Sequence, residues 1–352
     1  MTDETPARET TPARSPAAVR LTPTFDAERL RAELDLLTRD TWRRQQTYSE
    51  DGASEEYAAD WRVLPLRSPG GDERRTDAGG PGPLPFRDTR WLGRTPYLAA
   101  IIASLPTGVR GARLMSLGAG AAVETHRDTP LGFAKGMVRL HVPITTHDNA
   151  VLVLDGETYR WQPGTFWYGD FSRPHSLANT GSSDRVHLVI DCAVSLRLFD
   201  IFPPDFVNSV DLADVLFERP EVALRRTERA TFCCRFAVPA EFRHWSGEAL
   251  NERSADLADA TLAVVDRPDG LVLTEGAEHE GTALVHVGGG EFRLQGWTEE
   301  RTIHLDRAAK TVRFLIRDGS ARQWTERPIE ASSPVGSSWP VGSPRPVGSA
   351  AG

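Results

Sequence analysis

PHSLANTGSSDRVHLVID, residues 174–191, is the stretch on which the reading of the fold turns. It reads as a short strand, an Asn179-Thr180-Gly181 turn and a second strand. In the second strand, alternation puts Val186, Leu188 and Ile190 on one face and Arg185 with His187 on the other. Working outward, the same rhythm runs from Ala112 to Cys192 in ARLMSLG, GMVRLHVPI, AVLVLDG, ETYRWQP and TFWYGDF. Asp155-Gly156 and Pro163-Gly164 supply further turn chemistry between these runs. Short strands at this spacing predict a mainly β domain, closed as a small barrel or sandwich.

If the apolar face of RVHLVID packs outside the barrel, Arg185 points inward. A buried guanidinium is costly without a partner, and a carboxylate is the natural bidentate one. MVRLHVPI repeats the pattern, with Val138, Leu140 and Val142 alternating against Arg139 and His141. A second inward arginine suits another carboxylate, on a co-substrate or on a substrate. Upstream, ETHRD (residues 124–128) carries His126 and Asp128 at i and i+2, which share one side of an extended chain. His175 is the second imidazole. Two histidines and one carboxylate on one face of a metal leave three adjacent positions open, the arrangement of non-haem Fe(II) oxygenases. Two open positions suit a bidentate 2-oxo acid and the third suits O2. His-x-Asp with a distant histidine is common by chance in a chain with nine histidines; the two arginines give it weight.

His126-x-Asp128, RLHVPI (139–144), PGTFWYGD (163–170) and PHSLANTGSSDRVHLVID together resemble the aspartyl/asparaginyl β-hydroxylase family, which includes bacterial proline cis-4-hydroxylases. The resemblance spans roughly Trp61 to Cys192. It implies a double-stranded β-helix, or jelly-roll, of cupin-like form, together with Fe(II), 2-oxoglutarate and O2. By that resemblance His126, Asp128 and His175 are the metal ligands. Arg185 binds 2-oxoglutarate, with His141 and Ser116 as further co-substrate contacts, and Arg139 lines the substrate pocket. Some animal members lack the carboxylate ligand; Asp128 places this sequence with the bacterial branch.

The rest of the chain frames this domain. Residues 1–21 are poor in large apolar groups and are expected to be disordered, and the oxygenase domain is expected over 22–204. A first helix is expected near Phe25, with Leu30, Leu34 and Leu37 at helical spacing, and a second from Pro96 to Leu105. SPGGDERRTDAGGPGPLP (68–85) is a long Gly/Pro loop, either a flap beside the site or a plain connection. Residues 205–330 are expected to form an accessory α+β domain, with a helical start at 210–217 and strand-like runs after it. Pro-Val-Gly-Ser recurs three times in 331–352 and predicts a flexible tail.

Composition narrows the function classes. A net charge of −8 argues against a nucleic-acid surface. The three cysteines cannot form a disulfide framework and suit a cytoplasmic setting. No apolar run approaches the roughly 18 residues of a membrane span. Trp161, Trp167, Tyr168 and His187 read as core, Asp170 and Asn179 as turn residues, and Asp191 with Cys192 as the end of the last strand. The expected activity is hydroxylation of an amino-acid side chain, at the β-carbon of an aspartyl or asparaginyl group, free or in a peptide. A free amino-acid (proline-type) hydroxylase and a non-catalytic cupin-like carboxylate-binding module stand as alternatives.

Overall fold

The computed structural model describes residues 15–37, 42–48, 54–56, 58–128, 131–243, 259–276 and 279–330. Strand β1 (Ala18–Thr24) leads into helix α1 (Ala27–Leu37) and three short strands, β2 (Arg43–Arg44), β3 (Gln46–Tyr48) and β4 (Ser54–Glu56). Strands β5 (Trp61–Pro69) and β6 (Phe86–Asp88) precede helices α2 (Arg90–Gly93) and α3 (Pro96–Ala103). The heart of the domain follows: β7 (Val109–Leu117), β8 (Ala122–His126), β9 (Met137–Thr145), β10 (Ala150–Leu154), β11 (Glu157–Tyr159), β12 (Thr165–Gly169), β13 (His175–Asn179) and β14 (Arg185–Ala193).

These strands wind between two sheets. The larger runs β1-β12-β9-β14-β7-β5-β2, with β6 on β5; the smaller runs β11-β10-β13-β8. From β7 to β14 the chain alternates between them except at the β10–β11 hairpin, so two antiparallel ribbons coil together as a double-stranded β-helix. Asp155 and Gly156, both at positive φ (53° and 85°), make the two-residue turn between β10 and β11.

Alternation decides what lines the interior. Leu114, Leu140, Leu188, Ile190 and Phe166 face outward from the large sheet into a core shared with Leu30, Leu34 and Leu37 of α1 and Leu98 and Ile101 of α3. Both helices begin on side-chain caps. Asp26 accepts the amides of Glu28 (2.9 Å) and Arg29 (3.1 Å), and the buried Glu33 accepts those of Tyr97 (2.7 Å) and Leu98 (2.9 Å). The opposite face of the large sheet, with Arg113, Arg139, His141, Arg185, His187 and Asp191, is left to the barrel interior.

Residues 15–21 correct the expectation of disorder. Val19 pairs with Tyr168 across β1 and β12, and Leu21 is buried in the helix-covered core. A single leucine among prolines and threonines gives no local signal, but an available sheet edge supplies the missing contacts. Residues 1–14 and the 331–352 tail lie outside the described residues.

The first core also extends past residue 204. Helix α4 (Pro204–Ser209) buries Phe206, and Val210, Val215 and Phe217 pack on the same cluster. Those contacts require an extended path, so the helix expected over 210–217 is only a 3-10 turn, Leu212–Asp214, capped by Asp211.

Beyond it, helix α5 (Arg226–Ala230), β15 (Cys234–Val238) and helix α6 (Ala240–Arg243) open the second unit. Seven strands follow: β16 (Ala260–Arg267), β17 (Gly270–Thr274), β18 (Thr282–Gly288), β19 (Glu291–Leu294), β20 (Arg301–Asp306), β21 (Thr311–Asp318) and β22 (Ala321–Pro328). They form one eight-stranded meander with β15. A bridge between Arg235 and Glu330 draws its two ends together around Phe236, Phe292 and Phe314. Among the described residues of this second unit strand dominates over the helical part of the α+β expectation, which is met by α5 and α6.

The two units are tied together. Glu218 meets both Arg110 of β7 (2.7 Å) and Arg293 of β19 (3.6 Å). The Gly/Pro loop, residues 70–85, is held from the second unit: the Gly82 amide donates to the Gln295 carbonyl (3.0 Å), and the Ala283 amide donates to the Gly82 carbonyl (3.1 Å). Its inner side borders the first barrel. A Cβ placed on Gly111 would lie 3.5 Å from the Ala78 carbonyl and 3.8 Å from the Asp191 carboxylate.

Candidate metal centre

His126 ends β8 and His175 begins β13, and the two residues are direct partners in the antiparallel ladder. Their rings lie 4.2 Å apart, centroid to centroid. Asp128 follows two residues beyond His126, with its amide donating to the Phe171 carbonyl (2.9 Å). One ligand atom from each of His126, Asp128 and His175 lies within 4.8 Å of the other two. Strand pairing and i, i+2 spacing therefore bring the three expected ligands together.

The imidazoles are held in the form a metal needs. His126 Nδ1 lies 2.8 Å from the Glu124 carbonyl, and His175 Nδ1 lies 3.0 Å from the Arg173 carbonyl. A carbonyl only accepts, so Nδ1 carries a proton in both rings, and in the neutral imidazole Nε2 is the nitrogen left to bind a metal. Burial pulls the His175 pKa below the ordinary imidazole value, against the opposing pull of Asp128, which favours the neutral ligand form. His126 Nε2 stands 3.7 Å from Asp128 Oδ1. Two bare ring nitrogens and one carboxylate oxygen converging at a strand end fit a divalent cation such as Fe(II).

Arg185 lies on the inner face of β14, as its alternation predicts. Its side chain is buried, and among the described residues it has neither an ion pair nor a hydrogen-bond acceptor. Burial alone pulls its pKa down to about 9. A guanidinium in that position is costly until an anion joins it, so the residue fits a carboxylate ligand in the barrel.

His141 and His187 flank it. Their Nδ1 atoms lie 3.4 Å apart, and His141 also packs on Phe171 and Trp161 at 4.9 and 5.5 Å. Burial, reinforced by the charge of Arg185, depresses both pKa values well below the ordinary one. In a neutral pair only one ring can donate across the Nδ1 contact. One Nε2 is then bare and the other carries hydrogen, and both are buried without a protein partner.

Two expected contacts are placed differently. Ser116 pairs with Val186, whereas Arg185 pairs with Leu117. Ser116 therefore points to the opposite face from Arg185, and its hydroxyl donates to Asp184 (3.3 Å). Met115 takes the inward position beside it. Arg139 does point inward, but the carboxylates it meets belong to this chain. Its Nε and Nη2 donate to Asp191 Oδ1 and Oδ2 (2.7 and 3.2 Å), and its Nη1 donates to Asp128 Oδ2.

Asp191, read from the sequence as a strand end, is drawn into this cluster. It shares the parity of Arg185 and His187, which was the available signal, and β14 runs on to Ala193. Opposite it β7 bulges at Arg110 and Gly111, and Arg113 Nη2 donates to Asp191 Oδ2 at 2.9 Å. Burial pushes the Asp191 carboxyl up, but Arg139 and Arg113 together outweigh it and hold the pKa below the usual carboxylate range.

Comparison with known proteins adds a family match. The sequence profile described as Aspartyl/Asparaginyl beta-hydroxylase matches residues 24–194. No curated protein was found as a sequence relative. Among solved structures, a 2OG-Fe(II) oxygenase family oxidoreductase from Burkholderia pseudomallei is 14% identical, with a TM-score of 0.32, over 50% of this chain and 85% of that one. A prolyl hydroxylase from Trichoplax adhaerens, in complex with a hypoxia inducible factor peptide fragment, is 13% identical with a TM-score of 0.35, over 52% and 86%. A cupin domain from Bordetella pertussis is 16% identical with a TM-score of 0.21, over 26% and 88%. Such low scores carry no argument, and the fold rests on the sheet topology and the profile match.

Proposed function

Since residues 24–194 belong to the aspartyl/asparaginyl β-hydroxylase family, we propose that the protein is an Fe(II)- and 2-oxoglutarate-dependent dioxygenase. It hydroxylates an amino-acid side chain, at the β-carbon of an aspartyl or asparaginyl group, free or within a peptide. The observation that carries the co-substrate is Arg185. A buried guanidinium without a partner, inside the barrel that presents the His126, Asp128 and His175 cluster, is the counterpart of a ligand bearing a carboxylate.

Iron bound with 2-oxoglutarate and O2 supplies the oxidising power for an unactivated C–H bond, releasing succinate and carbon dioxide. The protein's own residues do the rest. His126, Asp128 and His175 would hold the cation through two imidazole nitrogens and one carboxylate oxygen. Arg185 would pair its guanidinium with a carboxylate of the 2-oxo acid and so orient it. His141, on the same inner face, is kept neutral by burial and by the charge of Arg185, so it can meet an anion through N–H without adding a charge. Trp161, Phe171 and His187 close the wall around it and keep water away from the bound co-substrate.

The test is succinate formation from 2-oxoglutarate with Fe(II), O2 and a panel of aspartyl, asparaginyl and prolyl substrates, followed by mass spectrometry. The expected product is one panel member heavier by a single oxygen atom. No turnover by the wild type, or turnover unchanged in His126→Ala, overturns the reading. A proline product would keep the chemistry and move the substrate.

A further inference from the structure

We propose that Asp191 is a positioning residue for the metal centre, acting through Arg139 to assign the two oxygens of the ligand carboxylate. The proposal rests on the reading that His126, Asp128 and His175 hold a divalent cation. It concerns what keeps that ligand set in order.

Asp128 lies past the end of β8, and about a quarter of its side chain is exposed. A carboxylate so placed can rotate toward solvent or turn either oxygen to the cation. Arg139 removes that freedom. Its Nη1 holds Oδ2, which leaves Oδ1 facing His126 Nε2 at 3.7 Å. The arginine can do this only if its own fork is fixed. Asp191 fixes it from behind with two contacts, at 2.7 and 3.2 Å, and is itself 1% exposed. Arg113 in turn anchors Asp191 Oδ2 at 2.9 Å.

The cluster holds two guanidinium groups and two carboxylates in alternation, Arg113, Asp191, Arg139 and Asp128. Only the last is a metal ligand. Groups that orient first ligands in this way typically change metal affinity 10- to 100-fold when removed. A role confined to barrel packing would change thermal stability and leave the bound cation's surroundings as they were.

The experiment uses the full chain and Co2+ alone, without 2-oxoglutarate or substrate. Affinity is measured by calorimetry, and the visible absorption of the bound ion reports its coordination. Asp191→Asn and Arg139→Lys are each expected to weaken Co2+ binding about 10- to 100-fold and to alter the spectrum. Folded variants that bind Co2+ with wild-type affinity and an unchanged spectrum overturn the proposal. Asp191→Asn also deprives the buried Arg113 of its partner; if that variant does not fold, Arg139→Lys, which keeps the Arg113–Asp191 pair, decides alone. A wild type that binds no Co2+ overturns the metal-site reading itself. That failure is distinct from tight wild-type binding that both variants retain.

Discussion

Arg185 and Asp191 share the inner face of one strand, yet only Asp191 meets opposite charge. Asp191 takes two guanidinium groups, whereas Arg185 has none among the described residues and loses pKa to burial alone. The first is a closed structural unit and the second is an open one, as the proposed binding of a carboxylate at Arg185 requires.

Arg185→Met should therefore stabilise the protein free of ligand by about 1–3 kcal/mol, since the methionine fills similar volume without a buried charge. The same change should abolish the rise in melting temperature that 2-oxoglutarate gives the wild type. Thermal denaturation with and without 2-oxoglutarate checks both halves. A Met variant that is less stable and still responds to 2-oxoglutarate would refute the assignment.

The His141–His187 pair makes stability depend on pH. Both are held neutral by burial, with folded pKa values well below 6.5. The unfolded chain therefore binds more protons in that window. Stability is full above about pH 6.5 and falls as the pH drops toward the folded values, by about 1.4 kcal/mol per pH unit for each histidine. Urea unfolding at pH 7.5, 6.0 and 5.0 should show this loss, and His187→Phe should show roughly half the slope.

Gly164 has φ of +74°, and a Cβ there would stand 2.3 Å from the Phe25 carbonyl. The Phe25 amide donates to the Gly164 carbonyl as well, so neither backbone can withdraw without loss. Gly164→Ala should destabilise the protein by about 2–4 kcal/mol, read as a lower urea midpoint with an unchanged m-value.

Glu218 is shared by Arg110 and Arg293, both mostly buried and one from each unit. Glu218→Ala should cost about 3 kcal/mol by leaving the buried Arg110 without its ion-pair partner, whereas Arg293 keeps Glu299 at 3.5 Å. Limited proteolysis should then cut near residues 219–226 sooner than in the wild type. A variant that resists protease as the wild type does would mean that the pairing contributes little to docking.

Much of the first barrel can be read from alternation and turn dipeptides, because both are local. The inward direction of Arg185, Arg139 and His141 follows from parity alone, as does the outward direction of Ser116 once its partner is known to be Val186. What alternation cannot supply is the partner across the barrel. That Arg139 meets Asp191 depends on β9 pairing with β14, where the two residues face each other directly. That Arg113 reaches the same carboxylate depends on the bulge in β7. These are products of long-range register, which is why the resemblance assigned Arg139 to the substrate pocket while the fold pairs it with Asp128 and Asp191. Strand β1 escaped notice for a related reason: its stability comes from the edge it joins, not from its own composition.

The Gly82 hydrogen bonds to Gln295 and Ala283 bear on how this enzyme can be divided. Residues 24–194 carry the recognisable sequence, but they are not an independent piece. Cut there, the chain loses Phe206, Val215 and Phe217 from its core. The loop beside Asp191 also loses its outer anchor. The second barrel therefore works as a clasp, and a heterologous domain grafted in its place must supply two backbone groups for Gly82 before the catalytic half keeps its shape.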